Sequence, residues 1–420
     1  MHLSPIRASV AYSIKWLLLG LAVGVAAGSA SALFLSLLEW ASATQQSNGW
    51  LLWLLPFGGA LVSYLYQAYG GPSSKGNNLL LERIYDGNGH VPLRMAPLVL
   101  FGTIVTHLFG GSAGREGTAV QMGGSLADQF GSRFKLNQAD RRILLMCGIS
   151  SGFGSVFGTP LAGAIFGLEV AALGFLHYRA ILPCLVASFA GHYTVLAWGV
   201  HHGSFSLGEL PALSWLLLAK LIIASILFGL AANMFTVLLH RLKAIFTKFV
   251  PNAPLKSFTG GLVVIGLVYA LGSRSYTGLS LPLLEQSFEQ SVPLYDSLAK
   301  LLLTVVTLGS GFQGGEVTPL FVIGSTLGSA LAGFLSASVP LLAGIGLIAV
   351  FGAAANSPLA ALIMGVELFG FSGAGLFYMA VGCSIAYLCS GRGSIYASQR
   401  PRFTRLTQSQ LEKDKVNDSR

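Results

Sequence analysis

Two blocks of sequence occur twice in this chain, in the same order and at nearly the same separation. The pattern Gly-x-Glu-x-Thr around Glu116 returns around Glu316, and in both copies a Gly-Ser pair follows the threonine after six residues. The block from Pro160 to Glu169 returns from Pro358 to Glu367, and both copies begin Pro-Leu-Ala and end in glutamate. The offsets are 200 and 198 residues. The sequence therefore predicts two copies of one structural unit.

The composition indicates where that unit folds. The chain is 53% hydrophobic and 10% charged, whereas ordinary soluble domains carry about 25% charged residues. Its long apolar runs predict an all-α polytopic membrane protein, and its 53 glycines suit close packing of helices in lipid. We interpret the net charge of +9 as basic residues in the loops and tail that set the orientation of the chain in the membrane. We therefore expect no nucleic-acid partner.

The apolar runs divide the chain into two membrane halves with polar ends. The predicted order is a cytoplasmic N-terminus (1–14), a first repeat half (15–200), a linker (201–212), a second repeat half (213–399) and a polar cytoplasmic tail (400–420). Basic segments at 133–142 and 240–248 are interpreted as cytoplasmic loops, which places both termini inside.

Several apolar segments are too short to cross a membrane alone. Leu98 to Leu108 runs directly into the loop before Glu116, and residues 152–160 form a glycine-rich break inside another apolar run. Short, glycine-interrupted segments at matching places in two halves are typical of broken helices around a site at the membrane midplane.

Glu116 is the residue on which the functional hypothesis depends. A carboxylate at membrane depth costs roughly 2.5–3.5 kcal/mol on insertion scales, so its presence indicates a function. Glycines precede it, and a helix is predicted from Thr118 onward. Free N–H groups at a helix start attract anions. The carboxylate can therefore act as the anion itself, compete with an anion, or serve only as a helix cap.

With these features in hand, the chain resembles the CLC family of anion channels and proton-coupled antiporters. Gly114-Arg-Glu116-Gly-Thr118 is similar to the family's Gly-Arg/Lys-Glu-Gly-Pro signature, and the block 148–169 also matches. The resemblance covers nearly all of 15–400. It implies the CLC-type inverted repeat with broken and half-length helices, and a homodimer with one pathway per subunit.

Departures from the common family pattern resemble its fluoride/proton antiporter subclass. The first filter loop reads Lys75-Gly76-Asn77-Asn78 in place of a serine- and proline-containing loop, and the second-half loop carries Glu316. The glutamate that serves chloride antiporters as an internal proton relay is Val170 here. The resemblance therefore implies a fluoride/proton antiporter that exports cytoplasmic fluoride as protons enter.

The resemblance and the chemistry of fluoride together give a set of expected site residues. Fluoride is small and strongly hydrated, so its site must replace water with strong donors. Glu116 is expected to gate and to transfer protons, with Glu316 and Thr318 as an inner station. The expected anion-binding residues are Lys75, Gly76, Asn77, Asn78, Gly117, Thr118, Val317 and Tyr396. Of the two asparagines we favour Asn77, and we expect no metal and no cofactor.

Other interpretations remain open at this stage. A chloride channel or chloride/proton antiporter of the same family is the main alternative, and an intramembrane enzyme lacks any supporting motif. His107 can relay protons or be a buried structural histidine. Lys75 can concentrate anions or extend to the membrane interface. We interpret Glu169 and Glu367 as structural or interfacial residues. The expected partners are fluoride, protons, chloride and membrane lipid, and the expected location is a bacterial inner membrane.

Overall fold

The computed structural model describes residues 5–87, 89–171, 177–203, 205–370 and 373–399, with side chains from residue 10 onward. This part of the chain contains sixteen α-helices, and no strands other than two isolated backbone bridges. The helices of the first half are α1 (Pro5–Ser47), α2 (Leu55–Leu65), α3 (Asn77–Asp86), α4 (Met95–Leu108), α5 (Glu116–Arg133), α6 (Gln138–Phe157), α7 (Pro160–Val170) and α8 (Tyr178–Ala197). Those of the second half are α9 (Trp215–Phe249), α10 (Ala253–Leu271), α11 (Leu281–Glu289), α12 (Leu294–Gly309), α13 (Val317–Leu335), α14 (Val339–Ala354), α15 (Pro358–Phe369) and α16 (Gly373–Cys389).

Membrane-length and half-length helices occur together in the fold, as the sequence predicts. Among the described residues, six helical segments are long and apolar enough to cross a membrane, and five other apolar helices have only 10–17 residues. Leu18, Trp215 and Leu216 expose 64%, 88% and 66% of their surface, which suits contact with lipid on the outside of the bundle. The all-α fold class is confirmed.

The predicted break within 152–160 is present between α6 and α7. Gly158 ends α6 with a left-handed backbone (φ 74°), which glycine adopts without steric cost. Pro160 then begins α7, where its missing N–H group leaves no helical hydrogen bond unmade. One apolar run is thereby divided into two helices.

Glycine pairs bring neighbouring helices into backbone contact at equivalent places in the two halves. A Cβ atom on Gly123 of α5 would come within 2.2 Å of the Gly148 carbonyl oxygen of α6. A Cβ atom on Gly324 of α13 would come within 2.1 Å of the Gly346 carbonyl oxygen of α14. Only glycine permits these approaches, so the high glycine content serves helix packing.

The two halves are joined by a reciprocal pair of helix caps. Glu169, at the end of α7, accepts hydrogen bonds from the Leu359 and Ala360 amides at the start of α15 (3.2 and 2.7 Å). Glu367, near the end of α15, accepts hydrogen bonds from the amides at the start of α7, Leu161 and Ala162 (both 2.8 Å). Carboxylates at helix starts are stabilised by the unpaired amides there. This geometry agrees with a structural role for both glutamates.

The expectation that both basic segments are loops is wrong. Residues 240–248 are not a loop, because α9 continues without interruption to Phe249, and the last five residues of 133–142 form the first turns of α6. Helical extension there keeps the basic side chains beyond the apolar span while all backbone groups stay paired. Tyr396 does not lie in a helix, since 391–399 form turns and bends. The predicted tail, 400–420, lies outside the described residues.

Candidate functional site

The Glu116 carboxylate occupies the start of α13, in the opposite half of the chain. Its Oε1 accepts a hydrogen bond from the Val317 amide at 2.6 Å. Its Oε2 accepts from the Thr318 amide at 3.2 Å, the Thr318 hydroxyl at 3.0 Å and the Arg115 amide at 3.0 Å. Glu116 is 1% exposed. The side chain therefore fills a cluster of donors that suits a small anion.

Backbone pairing between the two glycine loops positions this carboxylate. The Gly114 amide donates to the Gly315 carbonyl at 2.7 Å, and the Gly315 amide donates back to the Gly114 carbonyl at 2.9 Å. The loops run antiparallel, so the starts of α5 and α13 meet. A Cβ atom on Gly315 would lie 1.9 Å from Glu116 Oε1. The absence of a side chain at residue 315 is what allows the carboxylate to enter.

The repeated threonines have different partners. Thr318 bonds the Glu116 carboxylate, whereas the Thr118 hydroxyl pairs with the Thr103 hydroxyl of α4 at 2.6 Å. Both threonines are buried. The site is thus asymmetric although the sequence motif is repeated, because one glutamate of the pair turns into the other half.

Glu316, the second glutamate, precedes α13, and its carboxylate does not bond the donors that hold Glu116. It lines a cavity of about 450 Å³, and its Oε2 atom is buried without a hydrogen-bond partner among the described residues. We name this the lysine cavity, because Lys75, Lys243 and Lys256 also line it. Burying an oxygen atom without a hydrogen-bond donor costs free energy. The Oε2 atom of Glu316 is therefore suited to bind a proton or to accept a hydrogen bond from water or a protonated partner.

The two asparagines at the start of α3 have different hydrogen-bond partners. The Asn77 Oδ1 atom is buried and unpaired, and its Nδ2 atom would come within 3.2 Å of a Cβ on Gly117. The Asn78 Oδ1 atom accepts a hydrogen bond from the Ser398 amide at 2.8 Å. Asn77 thus faces the Glu116 loop, while Asn78 joins α3 to the C-terminal segment through a hydrogen bond. Gly76, before them, has φ 58° and lets the chain turn into the helix.

Tyr396, like Asn77, lines the lysine cavity, and Lys75 lines the same cavity. Tyr396 is 6% exposed and lines the lysine cavity. The Lys75 side chain is 55% exposed, and its Nζ is 2.6 Å from Glu82 Oε2. Exposed ion pairs contribute little to stability, so the pairing leaves Lys75 available to the cavity.

The sequence interpretation missed Gln121. This side chain of α5 is 5% exposed, lines the lysine cavity, and has a buried Oε1 atom without a partner among the described residues. A Cβ on Gly76 would lie 3.5 Å from its Nε2. The signal in the sequence was its position one helical turn after Gly117, which places it on the same side of α5.

A second cavity lies at the other end of α10. Its volume is about 370 Å³, and we name it the arginine cavity because Arg274 lines it. Lys256, in the first turn of α10, lines the lysine cavity, whereas Arg274 follows the last turn. The 19 residues of α10 span about 28 Å, so the cavities lie near opposite membrane faces. Glu116 lines neither cavity and lies in the wall between them.

His107 lies on the arginine-cavity side of the Glu116 loop. Its Nδ1 is 2.9 Å from the Thr103 carbonyl oxygen and its Nε2 is 3.1 Å from the Ala113 carbonyl oxygen. The ring therefore joins α4 to the segment that enters the loop. Among the described residues no group of three or more His, Cys, Asp or Glu is placed to hold a metal ion.

Comparisons with known proteins agree with this geometry. The family model described as voltage gated chloride channel matches residues 58–391. The chain is 49% identical over 396 residues to the chloride/fluoride channel protein of Pseudomonas syringae pv. tomato, which covers 93% of this chain and 87% of that protein.

Solved structures agree as well. The crystal structure of a CLC-type fluoride/proton antiporter matches with a TM-score of 0.89 and 37% identity, covering 95% of this chain and all of the other. A slow cyanobacterial Cl⁻/H⁺ antiporter, at 22% identity, matches in fold with a TM-score of 0.75 over 97% of this chain and 99% of that one. The sequence repeat and the paired glycine loops agree with these matches, which show that the chain belongs to the CLC family and is a membrane transporter of anions.

Proposed function

We propose that the protein is a fluoride/proton antiporter that exports cytoplasmic fluoride as protons flow inward. The observation that carries this proposal is the position of the Glu116 carboxylate on the Val317 amide, the Thr318 amide and the Thr318 hydroxyl. These donors suit fluoride, so carboxylate and fluoride exclude each other. The relative whose crystal structure is described as that of a fluoride/proton antiporter adds support.

Mutual exclusion couples the two ions. A deprotonated Glu116 holds the donors at the start of α13 and closes the anion path. Protonation removes the negative charge that these donors stabilise, so the side chain leaves and fluoride takes its place. Loss of the proton to the opposite side then returns the carboxylate to the donors as fluoride departs. One side chain thus carries protons one way while it admits fluoride the other way.

Selectivity for fluoride is proposed to come from the donors between α3 and α5. Asn77, Gln121 and Tyr396 share the wall of the lysine cavity. Amide N–H and phenol O–H groups are strong donors, and fluoride loses more hydration than chloride does on binding. Glu316 and Thr318 would form the inner station, and Gly117 and Thr118 would present the start of α5. The Asn78 Oδ1 atom accepts a hydrogen bond from the Ser398 amide, which joins Asn78 to the C-terminal segment, so Asn78 is proposed as a support for Asn77.

The lysine cavity is proposed to open to the cytoplasm. Lys75, Lys243 and Lys256 line it, and basic residues are enriched on the cytoplasmic side of membrane proteins. With this orientation both termini are proposed to lie on the cytoplasmic side of a bacterial inner membrane, and cytoplasmic fluoride has an electropositive approach to Glu116.

The competing function is passive anion conduction or chloride/proton exchange. The name of the Pseudomonas syringae relative, a chloride/fluoride channel protein, favours conduction. A channel would move fluoride without protons, and a chloride exchanger would prefer chloride.

A flux assay separates these functions. Purified protein is reconstituted in liposomes loaded with fluoride or chloride, and anion release and proton uptake are recorded with ion-selective and pH electrodes. We expect release of fluoride well above that of chloride, with proton uptake that collapses when a protonophore is added. Glu116→Gln should abolish proton movement, and Glu289→Gln, an exposed position on α11, should not. Proton transport against fluoride by Glu116→Gln would refute the proposal.

We also infer a homodimer, as the family resemblance implies. Leu161, Leu359 and Leu388 on α7, α15 and α16 expose 43%, 49% and 79% of their surface, which supports an apolar interface on this side of the bundle. Light scattering of the detergent-solubilised protein should give twice the mass of the chain. A monomer mass would contradict the inference.

A further inference from the structure

The arginine cavity is lined by hydrogen-bond donors and one cationic residue, Arg274. Ser42, Gln45, His107, Arg274 and Ser280 contribute to its wall, and none of the residues that line it is Asp or Glu. Arg274 is exposed, and no carboxylate of the described residues lies within ion-pair distance of it. A concave surface with one sign of charge attracts the opposite ion, so this cavity favours an anion.

Two of these donors have no partner. Gln45 is 6% exposed, yet its buried Nε2 atom makes no hydrogen bond among the described residues, and the same is true of the Ser42 hydroxyl. Gln45 Nε2 would lie 3.0 Å from a Cβ on Gly110. Leaving a buried amide donor unpaired costs free energy, and an anion held in the cavity would satisfy it.

Lys300 lies behind the cavity. This residue of α12 is fully buried, and four oxygens lie within hydrogen-bond distance of its Nζ: Ser112 Oγ (3.0 Å), Ser280 Oγ (2.9 Å) and the carbonyl oxygens of Gly278 (2.8 Å) and Tyr276 (3.2 Å). All four acceptors are neutral. A buried cation is usually paired with a carboxylate, and none is among these contacts, so the protonated form of Lys300 presents an unbalanced positive charge at Gly278 and Ser280.

The same contacts connect the cavity to the gate. The Gly278 amide donates to the Gly111 carbonyl at 3.1 Å, and His107 bonds the Ala113 carbonyl oxygen. The segment 111–114 is therefore bonded to two residues of the cavity wall, Gly278 and His107, and continues directly into Glu116. An anion that passes Glu116 towards this face meets the arginine cavity next.

We propose that the arginine cavity is a second anion site, outside the gate, that binds partly hydrated fluoride through Gln45, Ser42 and Arg274 in the field of Lys300. This proposal rests on the proposed function for the identity of the ion. The site would receive fluoride released from the gate and would set the affinity for fluoride on this face alone.

Side-specific fluoride uptake tests the proposal. Right-side-out and inside-out membrane vesicles containing the protein are acidified inside, sodium fluoride is added outside, and initial uptake gives the KM at each face. We expect Gln45→Glu, which keeps the shape but adds a negative charge, to raise the KM at the arginine-cavity face by about tenfold or more. Arg274→Gln should raise it by about threefold or more, with kcat retained.

Controls separate this role from a structural one. The KM at the lysine-cavity face should stay within about twofold of wild type in both variants, because the contacts of that cavity are unchanged. Arg241→Gln, an exposed charge loss on α9 away from the arginine cavity, should leave the KM at that face unaltered.

Unchanged KM values in both variants, or equal changes at both faces, would overturn the second site. The uptake assay reads fluoride alone, so it stays valid if proton coupling, and with it the proposed function, fails.

Discussion

Gly315 offers the sharpest test of the gate, because its missing side chain makes room for Glu116. The three atoms nearest to a Cβ built on Gly315 are Glu116 Oε1, Cδ and Oε2, at 1.9, 2.4 and 2.8 Å. Gly315 has no left-handed backbone, so alanine adds a methyl group without backbone strain. Gly315→Ala should therefore exclude the carboxylate from the start of α13 and disturb little else.

The contacts that alanine removes set the size of the effect. The carboxylate loses three hydrogen bonds, to the Val317 amide, the Thr318 amide and the Thr318 hydroxyl. Hydrogen bonds to a charged group contribute about 1.5–3 kcal/mol each. Loss of only one such contribution lowers the population of the closed state by about 10- to 150-fold. The variant should conduct fluoride while it couples to few or no protons.

Paired flux measurements check this result. Fluoride release and proton uptake are recorded from the same liposomes, and their ratio is compared with wild type and with Glu116→Ala. Because both substitutions act through one carboxylate, the double variant should behave as the Glu116→Ala single variant does. Gly266→Ala on α10, where a methyl group meets open space, controls for the substitution itself. A wild-type proton-to-fluoride ratio in Gly315→Ala would refute the reasoning.

Three further predictions follow from other contacts. Thr318→Val removes a hydroxyl donor that the proposal assigns to fluoride as well as to Glu116, so bound fluoride loses a donor and its exchange should slow about tenfold or more in electrode assays. Thr326→Val on the same helix, whose hydroxyl bonds only carbonyls of its own helix (2.7 and 3.2 Å), should not slow it, and equal rates in the two variants would contradict the role of the Thr318 hydroxyl. Glu169→Gln and Glu367→Gln should each destabilise the protein by about 1.5–3 kcal/mol, seen as a lower Tm in detergent, and an unchanged Tm would argue against the caps. Gln121→Met should raise the KM for fluoride at the lysine-cavity face about threefold or more, and an unaltered KM would remove Gln121 from the site.

The apolar runs were sufficient to predict the all-α fold class, and the short, glycine-interrupted segments of the two repeats predicted broken helices around one site. The sequence could not show that only one of the two glutamates turns into the opposite half, because both lie in the same Gly-x-Glu-x-Thr pattern. That asymmetry depends on Gly315 and on the three-dimensional path of the loop, which bring Val317 and Thr318 to Glu116.

Other parts of the arrangement depend on contacts between distant segments. The choice between Asn77 and Asn78 was open in the sequence, and the Ser398 amide, 320 residues from Asn78, distinguishes their surroundings. Gln121 and Lys300 carry no motif, so their importance emerges only from burial and from the partners that they have or lack. The basic stretch 240–248 looked like a loop because it is polar, yet a helix can extend beyond the membrane without any change in its hydrogen bonding.

The reciprocal caps also constrain the timing of synthesis. Glu169 and its partner Ala360 are 191 residues apart, so at about 5–20 residues per second the carboxylate waits on the order of 10–40 s for its donors to leave the ribosome. During that interval Glu169 lacks the Leu359 and Ala360 amides, and the first amides of α7 lack the Glu367 carboxylate. The first half of the nascent chain therefore enters the bilayer without these four hydrogen bonds and gains them only when the second half arrives.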